Sequence, residues 1–381
     1  MEQNINVSPE VLRWMRLSIK MDFPKAAKLT KMSEEVIKQF ESGFRKPTLK
    51  ELNAVAKAYN KSLASLLLYE PPKEKPLPND RRTVNSEQIG VFDIKTIKVV
   101  EKARALVYSL VQLKNELGLP IRKFSNSASL SDDPINIAQQ FRRVWNLDEL
   151  KELKNIDLAF EGYIEKIENL GVAVFQLPLT KDNLRGFSIN DEELPIIVIK
   201  RGSELTTAKI FTLFHEVGHL LLNESGICDI GLNNQQQIEK WCNTFAAEIL
   251  VPADELLKSK IVEKNISEDI KEWSSKDLIE IGNSFFVGRL VILRKLYDLK
   301  LTTKKYYEEK LKSWNKPSFG RAKESEGRNI PKEIVKERGK TFLSLAFGAY
   351  EQNKINLKEL SDYLGAKLIY IPKIRQHLYG L

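Results

Sequence analysis

The chain has 381 residues, with 60 lysines and arginines against 51 aspartates and glutamates. That length suits two or three domains, each able to bury its own core, and the net charge of +9 favours an acidic partner such as DNA. Two cysteines, Cys228 and Cys242, exclude a disulfide framework, and no apolar run reaches the roughly 20 residues a bilayer needs, so the expectation is a cytoplasmic protein with no membrane partner.

The first elements are short helices. Ser8-Pro9-Glu10 reads as a capped start with proline at the first helical position. Phe23 to Leu29 predicts a second helix and Thr30-Lys31-Met32 a turn. Ser33 caps a third helix, which Glu41-Ser42-Gly43 ends. Arg45-Lys46-Pro47-Thr48 leads into a fourth, Leu49 to Tyr59, and Leu63 to Leu67 makes a short fifth. This order and its caps resemble the Xre/Cro-type helix-turn-helix domain, with Ala26-Ala27, Ser33, Ile37, Glu41, Gly43, Pro47-Thr48 and Leu52 where that domain has them. The resemblance implies DNA binding over residues 1–70, which carry 12 basic and 8 acidic residues. Lys38, Gln39 and Arg45 are the candidate contacts. Three departures weigh against it. Glu34 and Glu35 open the would-be recognition helix and repel phosphate. Phe23-Pro24 fill a stretch where that domain commonly has a glutamine, and Lys31 replaces its turn glycine. A generic helical bundle, or a module for docking or dimerisation, is the alternative.

Pro71 to Pro78 holds four prolines in eight residues and predicts a stiff linker, taken as residues 71–91. Phe92 to Leu117 has apolar residues at helical spacing and is stopped by Gly118 and Pro120. A helix around Phe141-Arg142-Arg143, a second helix ending at Gly171, and a strand at Val172 to Phe175 follow. Ile196 to Ile199 predicts another strand, with Pro195 at its start, where proline is tolerated. Arg185-Gly186-Phe187 falls in the connection between these strands and borders a cleft. A strand edge beside a cleft can pair with an extended peptide.

Two of the three histidines then appear four residues apart, in His215-Glu216-Val217-Gly218-His219. Phe211 to Phe214 before them and Leu220 to Leu222 after them predict a buried helix, with Asn223 and Gly226 as stop signals. On a helix, positions i and i+4 share a face. Two imidazoles placed so can grip one metal ion, and the adjoining glutamate can hold and deprotonate a water on it. The bland alternative is a core helix whose histidines bond to neighbours. His377 sits in a polar setting and reads as exposed and without a role.

Such a site needs a third protein ligand. No histidine occurs between Leu220 and Gly226, so a carboxylate on a neighbouring helix is expected. Gln235 to Leu250 predicts that helix, closed by Pro252. Glu239 and Glu248 lie nine positions apart, about 180° around the axis, so both cannot face one metal. Glu239 shares a stripe with Asn243, Ala246 and Leu250, whose small alanine would let two helices approach, and it is preferred. An exposed surface glutamate is the competing reading. Cys242 reads as a small buried residue.

The run from Phe211 to Leu222, followed by Glu239-Lys240-Trp241-Cys242-Asn243-Thr244-Phe245-Ala246-Ala247-Glu248-Ile249-Leu250-Val251-Pro252, resembles the ImmA/IrrE metallopeptidases. The helix–helix–strand order between Ile135 and Phe175 is also similar. The resemblance implies that His215, His219 and Glu239 bind zinc and that Glu216 is the catalytic base. It implies cleavage of a repressor or antitoxin, releasing stress or mobile-element genes. Lys200 and Lys209 depart from the asparagine and arginine common in that family, which bears on substrate binding more than on the metal. The competing class is a non-enzymatic DNA-binding regulator that uses the peptidase-like fold as a sensor or docking module.

Asp277 to Phe285 and Val287 to Leu299 predict two helices around a turn, with Arg289, Arg294 and Lys295 on the second. This is either a second helix-turn-helix-like element at 277–299 or a pair of core helices. Residues 304–340, with 12 basic and 6 acidic side chains, read as a loop-rich solvated stretch. Phe342 to Ala349 and Leu357 to Leu364 predict helices, and Leu368 to Ile371 a short strand or helix cap. The expected fold is α+β and mostly helical: an all-α domain at 1–70, a linker, a zincin-like domain at 92–300 with a small sheet and a zinc-binding helix pair, and a helical region at 301–381. Expected partners are zinc, a protein substrate and DNA, with a second copy of the chain as a candidate.

Overall fold

The computed structural model describes residues 4–19, 21–59, 61–72, 94–150, 152–153, 155–179, 184–191, 193–202, 204–223, 232–314 and 329–380. These residues are mostly helical, with one small sheet, and divide into two compact units, 1–100 and 101–381.

The first unit holds α1 (Pro9–Ser18), α2 (Phe23–Thr30), α3 (Glu34–Ser42), α4 (Leu49–Tyr59) and α5 (Leu63–Leu66). Local chemistry sets the breaks. Asp22 accepts a hydrogen bond from the Lys25 amide at 2.9 Å and starts α2. Ser33 does the same for α3, from Val36, and Gly43, at φ 75°, ends it. Lys31 takes the left-handed turn position at φ 59°, a strain of order ~1 kcal/mol for a side-chain-bearing residue. Leu12, Met15, Ile37, Phe40, Leu52, Val55 and Tyr59 close the core. Arg16 forks onto both oxygens of Glu41 at 2.6 and 2.8 Å, tying α1 to α3. Residues 73–91 of the proline-rich linker, and the following 92 and 93, lie outside the described residues.

Helix α6 (Ile94–Glu116) spans the division between the units. Ile97, near its start, joins the first unit's core.

In the second unit, α7 (Pro134–Trp145) and α8 (Ile156–Glu168) lead into β1 (Ala173–Leu177), β2 (Gly186–Ile189) and β3 (Ile196–Lys200). The sheet order is β1-β3-β2. Strand β3 is central, parallel to β1 and antiparallel to β2. The 185–187 connection therefore contains a strand. Four residues headed by glycine carry too little pattern to announce one, and pairing with β3 creates it. Pro195 precedes the central strand, where its carbonyl accepts from Ala173 N at 2.8 Å and its missing N–H costs nothing.

The pleat alternates side chains between the faces. Val174, Ile197 and Ile199 share a core with Leu213, Phe214 and Val217 of α9 (Thr206–Leu221). Helix α10 (Leu232–Leu250) packs on α9, and short α11 (Ala253–Leu257) and α12 (Lys260–Ser267) follow. In α13 (Ser275–Ser284) and α14 (Arg289–Asp298), Leu278, Ile281, Ile292, Leu293 and Leu296 enter the same core. Lys295 is buried in an ion pair with Glu248, so this helix pair is built into the core.

The sheet's other face is also buried. Phe175 meets Phe342 edge-on, ring centres 6.5 Å apart. The stretch expected to be loop-rich holds α15 (Lys304–Trp314) and α16 (Ile330–Arg338); residues 315–328 are outside the described set. Helices α17 (Lys340–Glu351), α18 (Leu357–Leu364) and α19 (Ile371–Tyr379) complete the chain, with a short 3-10 turn at Leu368–Tyr370 in place of the strand considered above. Arg201, at the end of β3, reaches Glu337 of α16 at 3.0 Å, and Lys102 of α6 reaches it at 2.5 Å. The 301–381 segment is thus part of the second unit.

Candidate metal centre

Helix α9 is buried almost all round: from Ile210 to Leu221 only Phe211 is partly exposed. Asn223, at φ 51°, turns the chain out after it. Gly218, inside the motif, decides how close α10 comes. A Cβ there would sit 3.2 Å from Cα, Cβ and Sγ of Cys242. Small Ala246 on α10 is buried, as the sequence suggests, and a second close approach lies at Gly218 and Cys242. It brings Glu239, about one turn before Cys242, over both histidines.

His215 Nε2 and His219 Nε2 are 3.1 Å apart. Glu239 Oε2 lies 3.3 Å from the first and Oε1 3.3 Å from the second. Three donors held ~2.1 Å from one tetrahedral ion would be about 3.4 Å apart, close to these separations. Glu239 Oε1 is buried and makes no hydrogen bond, an orphan among the donors. The cluster could therefore hold a metal ion, and two imidazoles with one carboxylate suit zinc. His215 Nδ1, turned outward, is 3.1 Å from Asn243 Oδ1.

Electrostatics favour the ligand forms. Burial lowers the pKa of His219, keeping a lone pair available at neutral pH. For Glu239, burial pushes upward, but the two imidazoles beside its oxygens outweigh it, and the carboxyl falls far below its usual range. Glu248 is elsewhere. It is fully buried and paired with Lys295, with Gln139 at 3.4 Å, as its position half a turn around α10 from Glu239 requires.

Glu216 is buried on the turn that carries His215. Strand β2 lies directly against it. A Cβ on Gly186 would meet Thr212 Cγ2 at 2.6 Å and Val198 O at 2.7 Å, and would stand 3.7 Å from Glu216 Cγ. Glycine is what lets an outer strand run this close to the helix. Arg185, at its head, is largely exposed, with Nε 4.0 Å from Glu204 Oε1. Lys209 is buried beside Gln176 Oε1 at 3.4 Å, and burial lowers its pKa. Lys200 pairs in register with Leu177, on the sheet face turned from α9.

The remaining candidates are scattered. Lys38 stands 3.9 Å from Glu34, and Arg45 is 2.6 Å from Glu51; each would have to exchange its carboxylate for a phosphate. Gln39 is partly exposed beside them on α3. His377 is exposed on α19 and Cys242 buried on α10, while Cys228 and Gly226 lie outside the described residues. Sequence reasoning missed strand β2 and the contact of Asn243 with His215. The second could have been found, since Asn243 sits four residues after Glu239 on the same helical face.

Residues 167–310 match the family model of the IrrE N-terminal-like domain, a metallopeptidase family. The matched stretch contains the sheet, both histidines, Glu216 and Glu239, and leaves out the first unit and α16 to α19. No curated protein and no solved structure matches the chain. Among the described residues, no helix is long and apolar enough to cross a membrane.

Proposed function

We propose that the second unit is a zinc-dependent endopeptidase. The convergence of His215 Nε2, His219 Nε2 and the Glu239 carboxylate, with Glu216 on the same helix, carries this reading. Zinc in that cluster would supply Lewis acidity to a scissile carbonyl and bring the pKa of a water from 15.7 to about 7. The three side chains hold the ion and leave a coordination position open. Glu216 takes a proton from the attacking water and returns it to the leaving amine nitrogen. Strand β2, beside Glu216, supports an extended peptide as substrate, laid along the strand with backbone hydrogen bonds.

The substrate we favour is a repressor or antitoxin, and the first unit we read as a DNA-binding module. The resemblance of its helix order, and its excess of basic residues, support that reading. Together they describe a regulator that removes a repressing protein and so releases stress or mobile-element genes. The non-enzymatic alternative leaves Glu216 without a task, since a docking module needs no general base.

The deciding experiment incubates the full chain and its Glu216→Gln variant with candidate repressors, and measures metal content beside cleavage. The variant should keep its zinc and lose at least about 100-fold in rate; a fully active variant would end the proposal. For the first unit, binding to DNA should weaken steeply with added salt. Failure to shift any upstream fragment at low salt would remove the DNA assignment and leave the peptidase untouched.

A further inference from the structure

We infer that Asn243 is a positioning residue for the metal centre. Its side-chain oxygen accepts the Nδ1–H of His215 and holds that imidazole in the one tautomer able to ligate. A neutral imidazole carries a single N–H. The inward atom of His215 is Nε2, 3.1 Å from His219 Nε2 and 3.3 Å from Glu239 Oε2. For Nε2 to offer a lone pair, the proton must sit on Nδ1. A proton on Nδ1 needs an acceptor, and Asn243 Oδ1 stands 3.1 Å away. The same contact fixes the rotation of the ring, and so the direction of its lone pair.

Helix geometry makes the arrangement economical. Asn243 follows Glu239 by four residues, so one face of α10 delivers both a ligand and the group that orients another ligand. Asn243 is itself exposed while His215 is buried. Its truncation therefore removes little packing, and its effect should fall on the metal centre rather than on folding. An aspartate at this position would also accept from Nδ1–H. This role rests on reading the trio as a metal centre.

The test uses the full chain labelled with 15N, in which only three histidines need assignment. Long-range proton–nitrogen correlations on the metal-free protein should show His215 protonated at Nδ1. Asn243→Ala should lose that preference and Asn243→Asp should keep it. Zinc affinity, from competition with a chromophoric chelator, should fall about 10- to 100-fold in Asn243→Ala and stay within a few-fold in Asn243→Asp. A proton on Nε2 in the unaltered chain would overturn the role. So would Asn243→Ala with unchanged tautomer and unchanged zinc affinity. Should the chain bind no zinc at all, the metal reading fails, while the metal-free tautomer still decides what Asn243 does to His215.

Discussion

Glu239 and Glu248 are the same residue type on one helix, and their surroundings give them opposite work. Glu239 meets two histidines, one at each oxygen; Glu248 is buried against the ammonium of Lys295. Glu239→Gln should therefore abolish tight zinc binding with a small effect on the stability of the metal-free protein. Glu248→Gln should retain the zinc site but cost roughly 3–5 kcal/mol, because the Lys295 charge is left buried without its counter-ion. Metal analysis and urea unfolding of both variants separate the two roles; zinc loss confined to Glu248→Gln would reverse the assignment. Helical spacing showed that only one of the pair could face the histidines. The Glu248–Lys295 pair joins residues far apart in sequence and could not be read from the chain.

The junction of α8 and α17 holds a titratable contact. Thr341 Oγ1 donates to Glu168 Oε2 at 2.5 Å. Burial pushes the Glu168 carboxyl up to about 7, against the downward pull of hydrogen bonds from Thr341 and the Val174 backbone. An unfolded glutamate titrates near ~4.3, so between these values the folded chain holds a proton the unfolded chain has lost. The contribution of Glu168 to stability is complete below the unfolded pKa and is lost as pH rises through about 7. Glu168→Gln cannot titrate. Calorimetry across that window should show the unaltered chain losing stability relative to Glu168→Gln as pH rises; parallel curves would contradict the raised pKa of Glu168. The elements themselves were largely legible, since caps such as Ser33 and breakers such as Gly43 and Gly118 act locally. Strand β2 was not, because four residues with glycine at the head become a strand only beside β3.

At the scale of the whole molecule, the second unit extends past the stretch that matches the peptidase family. One sheet face packs on α9; the other, which includes Phe175, is covered in part by the C-terminal helices. A chain ending at residue 328 would uncover Phe175, which loses Phe342. Exposing that one side chain costs about 1.5–3 kcal/mol, a sizeable part of a domain's whole stability of about 5–15 kcal/mol. The truncated protein should bind a hydrophobic dye and lose cooperative melting of the second unit; native-like melting would show the C-terminal layer to be dispensable. The sequence alone determined the helix of the two histidines, the face they share and that only one of Glu239 and Glu248 could join them, because helical periodicity is a local rule. It also determined the five-helix order of the first unit, through caps and turns that act over a few residues. Only the tertiary structure decided that Gly218 seats α10 close enough to complete the trio and that Gly186 brings an outer strand against Glu216. It alone decided that helices far downstream close the sheet. Each of these depends on contacts between distant segments, and no periodicity along the chain records them.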